Sequence, residues 1–208
     1  MKNLILAAVA VFTIGAATAQ DMKFGVKAGL NLANTTANGA SMKVGGNFGV
    51  FGDFKVSDKF SVQPEILYSM QGAKASATNS FGGITVTDEV TQSLGYINIP
   101  VMGKFLVTND LSLQVGPQIG FLMTVKEEYV QTSNNQSVVP NSTFSSTDKT
   151  NFNSVDFGLN FGVGYNITEK FMVDLRYNLG LSEIEKNLPS GVSASKNRVV
   201  SVNFGYSF

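Results

Sequence analysis

The chain has 208 residues, with 15 basic and 15 acidic side chains, no histidine and no cysteine. Zero formal charge argues against a polybasic nucleic-acid surface. The missing cysteine excludes disulfides, thiolate metal sites, cysteine nucleophiles and an N-terminal lipid thioether, and the missing histidine removes the commonest general base and transition-metal ligand.

The first segment reads as a leader. Lys2 supplies a positive start, residues 4–17 are a short apolar run, and Ala17-Thr18-Ala19 is an A-x-A cleavage site. Residues 1–19 are therefore expected to be removed and residues 20–208 to form one domain beginning at Gln20. An uncleaved N-terminal anchor is the competing reading, but the run is short for a spanning helix. Charged residues are only 14% of the chain, against about a quarter in a soluble protein.

Eight stretches then alternate apolar and polar residues with a period of two. In the first, Phe24, Val26, Ala28, Leu30 and Leu32 interleave with Gly25, Lys27, Gly29 and Asn31; in the last, Val200, Val202, Phe204, Tyr206 and Phe208 interleave with Ser201, Asn203, Gly205 and Ser207. Such a period marks strands whose two faces meet different surroundings. The expected strands are 23–33, 42–56, 60–74, 91–107, 111–124, 153–166, 171–182 and 197–208. Tight turns at Ser57-Asp58-Lys59, Thr108-Asn109-Asp110 and Ile167-Thr168-Glu169 alternate with long connections at about 34–41, 75–90, 125–152 and 183–196. The pattern predicts an all-β fold, an eight-stranded antiparallel up-and-down transmembrane β-barrel. It places the turns and both chain ends in the periplasm of a Gram-negative bacterium and the loops outside.

Register can be tested within the sequence. Centring the turns on Asp58, Asn109 and Thr168 opposes Val56 to Phe60, Phe54 to Val62, Val107 to Leu111, Phe105 to Leu113 and Tyr165 to Phe171. Opposed residues share a face, so all three hairpins match apolar to apolar. Phe24, Phe54, Phe60, Phe105, Tyr165, Phe171, Tyr206 and Phe208 gather near the turn end, as an aromatic girdle at one interface does. Phe208 is expected to act as an assembly signal for the barrel-assembly machinery, with membrane lipid as the partner of the apolar face.

The opposite face carries Lys27, Lys43, Asp53, Lys55, Glu65, Lys104, Asp156, Asp174 and Arg176 among Asn, Gln, Ser and Gly. Side chains can fill an eight-stranded barrel, and an unpaired charge inside would be costly. A packed polar lumen is therefore expected, built on Lys27, Asp53, Glu65, Lys104, Asp156, Asp174 and Arg176; a selective pore or ligand pocket is the alternative. Asp174 and Arg176 are expected to pair, with Glu65 or Asp156 across the lumen. The fourth strand breaks the alternation, because Leu94, Tyr96, Met102 and Leu106 share the inward parity. Pro100 opposite Gln118 and Pro117 opposite Val101 predict a bulge or kink. Residues 131–151, rich in small polar side chains, read as solvated surface.

No phosphate loop occurs. Gly158, Gly162 and Gly164 share one parity and make room in a strand. Asp88-Glu89 and Glu127-Glu128 could each hold a calcium ion weakly, but flanking ligands are sparse and solvated loop carboxylates are the expected reading. With no histidine, a serine nucleophile would need a Ser–Lys or carboxylate scheme, and no motif supplies one. No catalytic, metal or cofactor site is assigned, and no enzymatic role is expected.

Three stretches in order carry a resemblance. Gly95-Tyr96-Ile97-Asn98-Ile99-Pro100-Val101-Met102-Gly103-Lys104-Phe105 resembles the tyrosine–x–x–isoleucine–proline strand of the PorT-like outer-membrane β-barrel family of Bacteroidetes-type bacteria. Gly116-Pro117-Gln118-Ile119-Gly120-Phe121 looks like the strand that follows it, and Asp156-Phe157-Gly158 through Arg176-Tyr177-Asn178-Leu179-Gly180-Leu181 is similar to the penultimate hairpin. The resemblance covers the mature chain and implies an eight-stranded outer-membrane barrel without implying one activity. The expected role is structural or interaction-based, with the loops as a surface for an unidentified secretion or surface partner. A small passive channel or solute binder is the rival, and a soluble lipocalin-type barrel, with its apolar face inward, a third reading.

Overall fold

The computed structural model describes residues 22–208. The expected leader and the start at Gln20 lie outside them. Nine strands form: β1 (Met22–Thr35), β2 (Ala40–Ser57), β3 (Phe60–Phe81), β4 (Ile84–Leu106), β5 (Leu111–Ser133), β6 (Ser142–Ser146), β7 (Val155–Asn166), β8 (Phe171–Gly180) and β9 (Asn197–Ser207). Eight of them pair antiparallel in a ring, β1 closing on β9 and β4 on β5. The short β6 lies outside the ring, on the far part of β5 beyond its pairing with β7. Among the described residues no helix is long and apolar enough to cross a membrane.

Alternation decides the two faces as the sequence suggests. On β8, Met172, Asp174, Arg176 and Asn178 are buried inside while Phe171, Leu175 and Tyr177 are exposed outside. The outer surface is a continuous apolar belt, with Leu30, Val50, Leu113, Val163, Leu175 and Val202 each about half exposed or more. Monomeric soluble proteins seldom leave an apolar surface of that extent in water. The inverted, lipocalin-like facing does not occur.

Three connections are tight, and their registers partly correct the sequence reading. Phe54 opposes Val62 and Phe105 opposes Leu113, as expected. In the first hairpin the pairing slips between Lys55 and Ser57, so Ser57, not Val56, opposes Phe60. In the third, Tyr165 opposes Val173, not Phe171. The cause is local: the Thr168 hydroxyl accepts from the N–H groups of Lys170 and Phe171, and Ile167 N–H donates to Phe171 C=O at 2.8 Å. The three-residue loop is thus 168–170. Thr108 builds the second turn the same way, accepting from Asp110 and Leu111.

The long connections differ most from expectation. Residues 75–90 are not a loop. β3 and β4 continue through them to a two-residue turn at Gly82-Gly83, whose φ values of 57° and 80° are those a type I′ hairpin needs. β5 likewise runs on to Ser133. A strand of 22 residues tilted near 45° spans about 50 Å, well beyond a hydrocarbon core of about 30 Å.

The prolines thin the ladder without moving it. Pro100 opposes Gln118, and Pro64, a third member of the group, opposes Val101. Register is unchanged across this level. The bulge lies farther up, where Gly95 pairs with Thr124 but Tyr96 with Leu122, leaving Met123 as the extra residue. It sits on β5, so the inward parity of β4 from Leu94 to Lys104 stays intact while Val125 turns inward.

Candidate functional site

The only dense assembly of charged side chains among the described residues lies inside the ring. Lys27 from β1, Glu65 from β3, and Asp174 and Arg176 from β8 meet there, each almost fully enclosed. Lys27 Nζ lies 2.9 Å from Glu65 Oε1 and 2.7 Å from Asp174 Oδ2. The Arg176 guanidinium donates to both Glu65 oxygens, at 2.8 and 2.7 Å, and its Nε lies 3.1 Å from Asp174 Oδ1. This fork-to-fork geometry is the strong form of the pair. Two cations and two carboxylates make the group neutral, which a water-poor interior demands.

The group extends downward toward the turns. Gln63 donates to Glu65 at 2.6 Å and accepts from Lys104 at 2.9 Å, and Lys104 reaches Asp53 at 2.5 Å. Beside it the Phe51 ring lies under Lys27, with Nζ 5.6 Å from the ring centre. A Cβ on Gly25 would fall 2.4 Å from that ring, so glycine there is what admits Phe51 to the lumen. Parity alone places Phe51 inward, but attention to polar residues passed it over.

Above the charged group lies a belt of amides. Asn178 donates to Asn160 and Asn160 to Gln118, both at 3.1 Å; Asn47 donates to Asn31, and Asn203 to Asp174, at 2.7 Å each. They surround a cavity of about 30 Å³, room for a few waters at most. The amide oxygens of Asn47, Gln71, Asn98, Asn178 and Asn203 line it and accept no hydrogen bond from the protein. Hydroxyl donors of water satisfy such a ring of acceptors; a cation would face Arg176, which lines the same space.

The far end is closed by an apolar cluster of Leu94, Tyr96, Val125, Phe152 and Ile184, with Leu122 packed against it. This accounts for Leu94 and Tyr96 at inward positions of β4; Met102 is buried outside the cluster and Leu106 lines the opposite end. Phe152 and Ile184 come from the connections read as loops. Asn153 N–H donates to Ile184 C=O and Ile184 N–H to Ser195 C=O, both at 2.8 Å, which folds two connections across the opening. The Glu185 carboxylate accepts from Ser195 N–H and Oγ at 2.8 Å. The turn end is open, as a mouth of about 360 Å³ lined by Lys23, Asp53, Lys104, Leu106 and Glu169 among others.

Of the residues expected in the lumen, six join one connected network: Lys27, Asp53, Glu65, Lys104, Asp174 and Arg176. Asp156 does not. It is buried near the cap, and its carboxylate accepts from Ser182 Oγ at 2.7 Å; Glu65 alone takes the role across from Arg176. Lys55 is exposed at the turn, 3.2 Å from Asp58, and Lys43 is half-buried toward the other end. The aromatic residues Phe24, Phe60, Phe105, Tyr165 and Phe171 are exposed on the outer face. Several pack on one another: Phe24 edge-on to Phe54, Phe171 5.0 Å from Tyr206, and Tyr206 5.7 Å from Phe208. Phe208 N–H donates to Phe24 C=O, so the last residue is tied to the first strand. Among the described residues no group of three or more acidic side chains is placed to hold a metal.

Comparison with known proteins agrees with this geometry. No curated protein matches the sequence. Solved structures similar to the chain include Ail, the attachment invasion locus protein of Yersinia pestis, at 12% identity and a TM-score of 0.50, covering 91% of this chain and 100% of that one. Neisserial surface protein A aligns at 12% identity and a TM-score of 0.48, over 91% and 100% of the two chains. The profile described as "Outer membrane protein beta-barrel domain" matches residues 18–186. A closed antiparallel ring, apolar without and ionic within, matched over most of its length by that profile, belongs to the outer membrane protein β-barrel family.

Proposed function

We propose that this protein is a non-conducting barrel of the outer membrane, an anchor for a surface-exposed interaction structure rather than a pore or an enzyme. The occlusion of the lumen carries this reading. A connected ionic and amide network fills its middle, and the Phe152–Ile184 cluster covers one end. In this reading the leader is cleaved before Gln20. Tight turns and both chain ends face the periplasm, where Lys23 Nζ reaches Glu169 C=O and Ser207 N–H reaches Lys170 C=O. Lipid contacts the outer belt, and the barrel-assembly machinery recognises β9 and Phe208. The likeness of β4 and β5 to PorT-type strands fits a surface partner without naming it.

Single-channel recording tests the reading. Purified protein in planar bilayers should give no steady current. Stable open-channel steps would instead support a small passive channel, with the mouth at the turn end as its vestibule.

A further inference from the structure

The part of the sheet beyond the ring has an open edge. β3, β4, β5 and β6 form four strands there, joined by Ala77–Asp88, Asp88–Gln131 and Gln131–Ser142 pairings. β2 ends at Ala40, opposite Ala75. Above that point, among the described residues, nothing pairs with the second edge of β3.

The turn fixes which backbone groups face outward. A two-residue type I′ hairpin closes on a hydrogen-bonded pair, here Phe81–Ile84. Pairs alternate from there, so Ser80–Thr85 and Thr78–Thr87 are the non-hydrogen-bonded pairs. Their hydroxyls meet at 3.0 and 3.1 Å, as the closer spacing of such pairs expects. The N–H and C=O groups of Thr78 and Ser80 therefore point away from β4, into the open.

Exposed edges are ordinarily guarded by charge, proline or a bulge. From Ala75 to Thr87 there is no charged residue and no proline, and no register shift interrupts the β3–β4 ladder. One face of this outer sheet carries Phe81, Ile84, Val90, Tyr129 and Phe144 around a polar row of Asp88, Gln131 and Ser142, Phe81 being 90% exposed and Phe144 67%. Within that face Tyr129 Oη and Gln131 Nε2 both donate to Asp88, at 2.6 and 2.8 Å, which holds its carboxyl below the usual aspartate range and ties it to its neighbours.

We propose that the Ala77–Gly82 edge of β3 binds an extended segment of a partner polypeptide as an added antiparallel strand. Main-chain hydrogen bonds give such a mode its affinity and alternate side chains its selectivity. The edge carries no charge to select a charged ligand, and the exposed Phe81 on it favours a segment with uncharged β-branched or aromatic residues at every second position. A second copy of the chain fits less well. Two barrels upright in one membrane bring identical edges together with strands parallel, the weaker pairing. The inference rests on the outward orientation proposed above.

The test uses the full-length barrel in nanodiscs and a capped peptide copying residues 84–91, the sequence that already pairs with β3, with Asp88 and Glu89 replaced by asparagine and glutamine. Binding should slow amide exchange at Thr78 and Ser80 at least tenfold. Thr78→Pro removes an outward N–H without touching the β3–β4 ladder and should weaken binding at least tenfold; Thr78→Lys, a guard residue, should do the same should the proline variant misfold. A peptide N-methylated at alternate residues should not bind. Absence of binding at millimolar peptide, equal binding by both variants, or strong exchange protection of Thr78 and Ser80 in the free monomer would overturn the proposal, as would self-association through this edge. Labelling of Asn79→Cys on intact cells with an impermeant maleimide separates the two readings: labelled cells without peptide binding refute this inference alone, and unlabelled cells refute the orientation beneath it.

Discussion

Replacing Glu65 by glutamine should be among the most damaging single changes in this chain. Its carboxylate receives Lys27 Nζ, both terminal nitrogens of Arg176 and Gln63 Nε2, at 2.6 to 2.9 Å, with no solvent contact. Glu65→Gln keeps the shape but leaves Lys27 and Arg176 with Asp174 alone, an enclosed excess of one positive charge. Breaking a buried pair from one side costs about 3–5 kcal/mol. At a urea dependence of about 2 kcal/mol per molar, the unfolding midpoint in lipid vesicles should fall by about 1.5–2.5 M. Far-UV circular dichroism and the heat-modifiable gel shift read this out. The double variant Glu65→Leu, Arg176→Met leaves the neutral Lys27–Asp174 pair at 2.7 Å and should be more stable than Glu65→Gln alone. A midpoint shift in Glu65→Gln worth less than about 1 kcal/mol, or a double variant whose loss equals the sum of the singles, would refute the reasoning.

Three further outcomes are expected. Leu175→Arg, on the outer face between Val163 and Val202, should cost about 2–4 kcal/mol at mid-membrane, and Val173→Arg, one rung nearer the aromatic residues, less; folding yield into vesicles measures both. Deleting Phe208 should lower the outer-membrane level of the protein in cells, and a normal level on quantitative blotting would count against its role in assembly. Phe152→Ala should destabilise by about 3–5 kcal/mol, yet bilayer currents should stay at baseline because the charged group still blocks the lumen.

How much was legible in the sequence follows from what each segment must satisfy. Residues such as Val26, Ala28 and Leu30 separate an oily side from a wet one, and that demand writes a period of two. The ring, its parity and most of the lumen are readable for this reason. The outer halves of β3 and β4 face a weaker demand: residues such as Thr78 and Thr87 are exposed or half-exposed, so pairing there leaves only the short alternation Ile84-Thr85-Val86-Thr87, and the stretch reads as a loop. Even so, Gly82-Gly83 is a hairpin signal that could have found it. The network partners followed from parity and charge, except that distance along the barrel decides between Glu65 and Asp156, and no spacing in one strand encodes height in another. The cap was half visible, since Leu94 and Tyr96 at inward positions require apolar neighbours. Phe152 and Ile184, the residues that answer them, lie in segments without periodicity.

The central claim is that the apolar face of every ring strand looks outward into lipid while the opposite face encloses a lumen closed to it. Nuclear Overhauser contacts between protein methyl groups and lipid acyl-chain protons test this in the unmodified protein. The methyls of Val163, Leu175 and Val202, exposed on the outer face, should show strong acyl-chain contacts, and those of Met102 and Val199, buried inside, none. Acyl-chain contacts at Met102 and Val199, with water contacts at Leu175, would contradict the account.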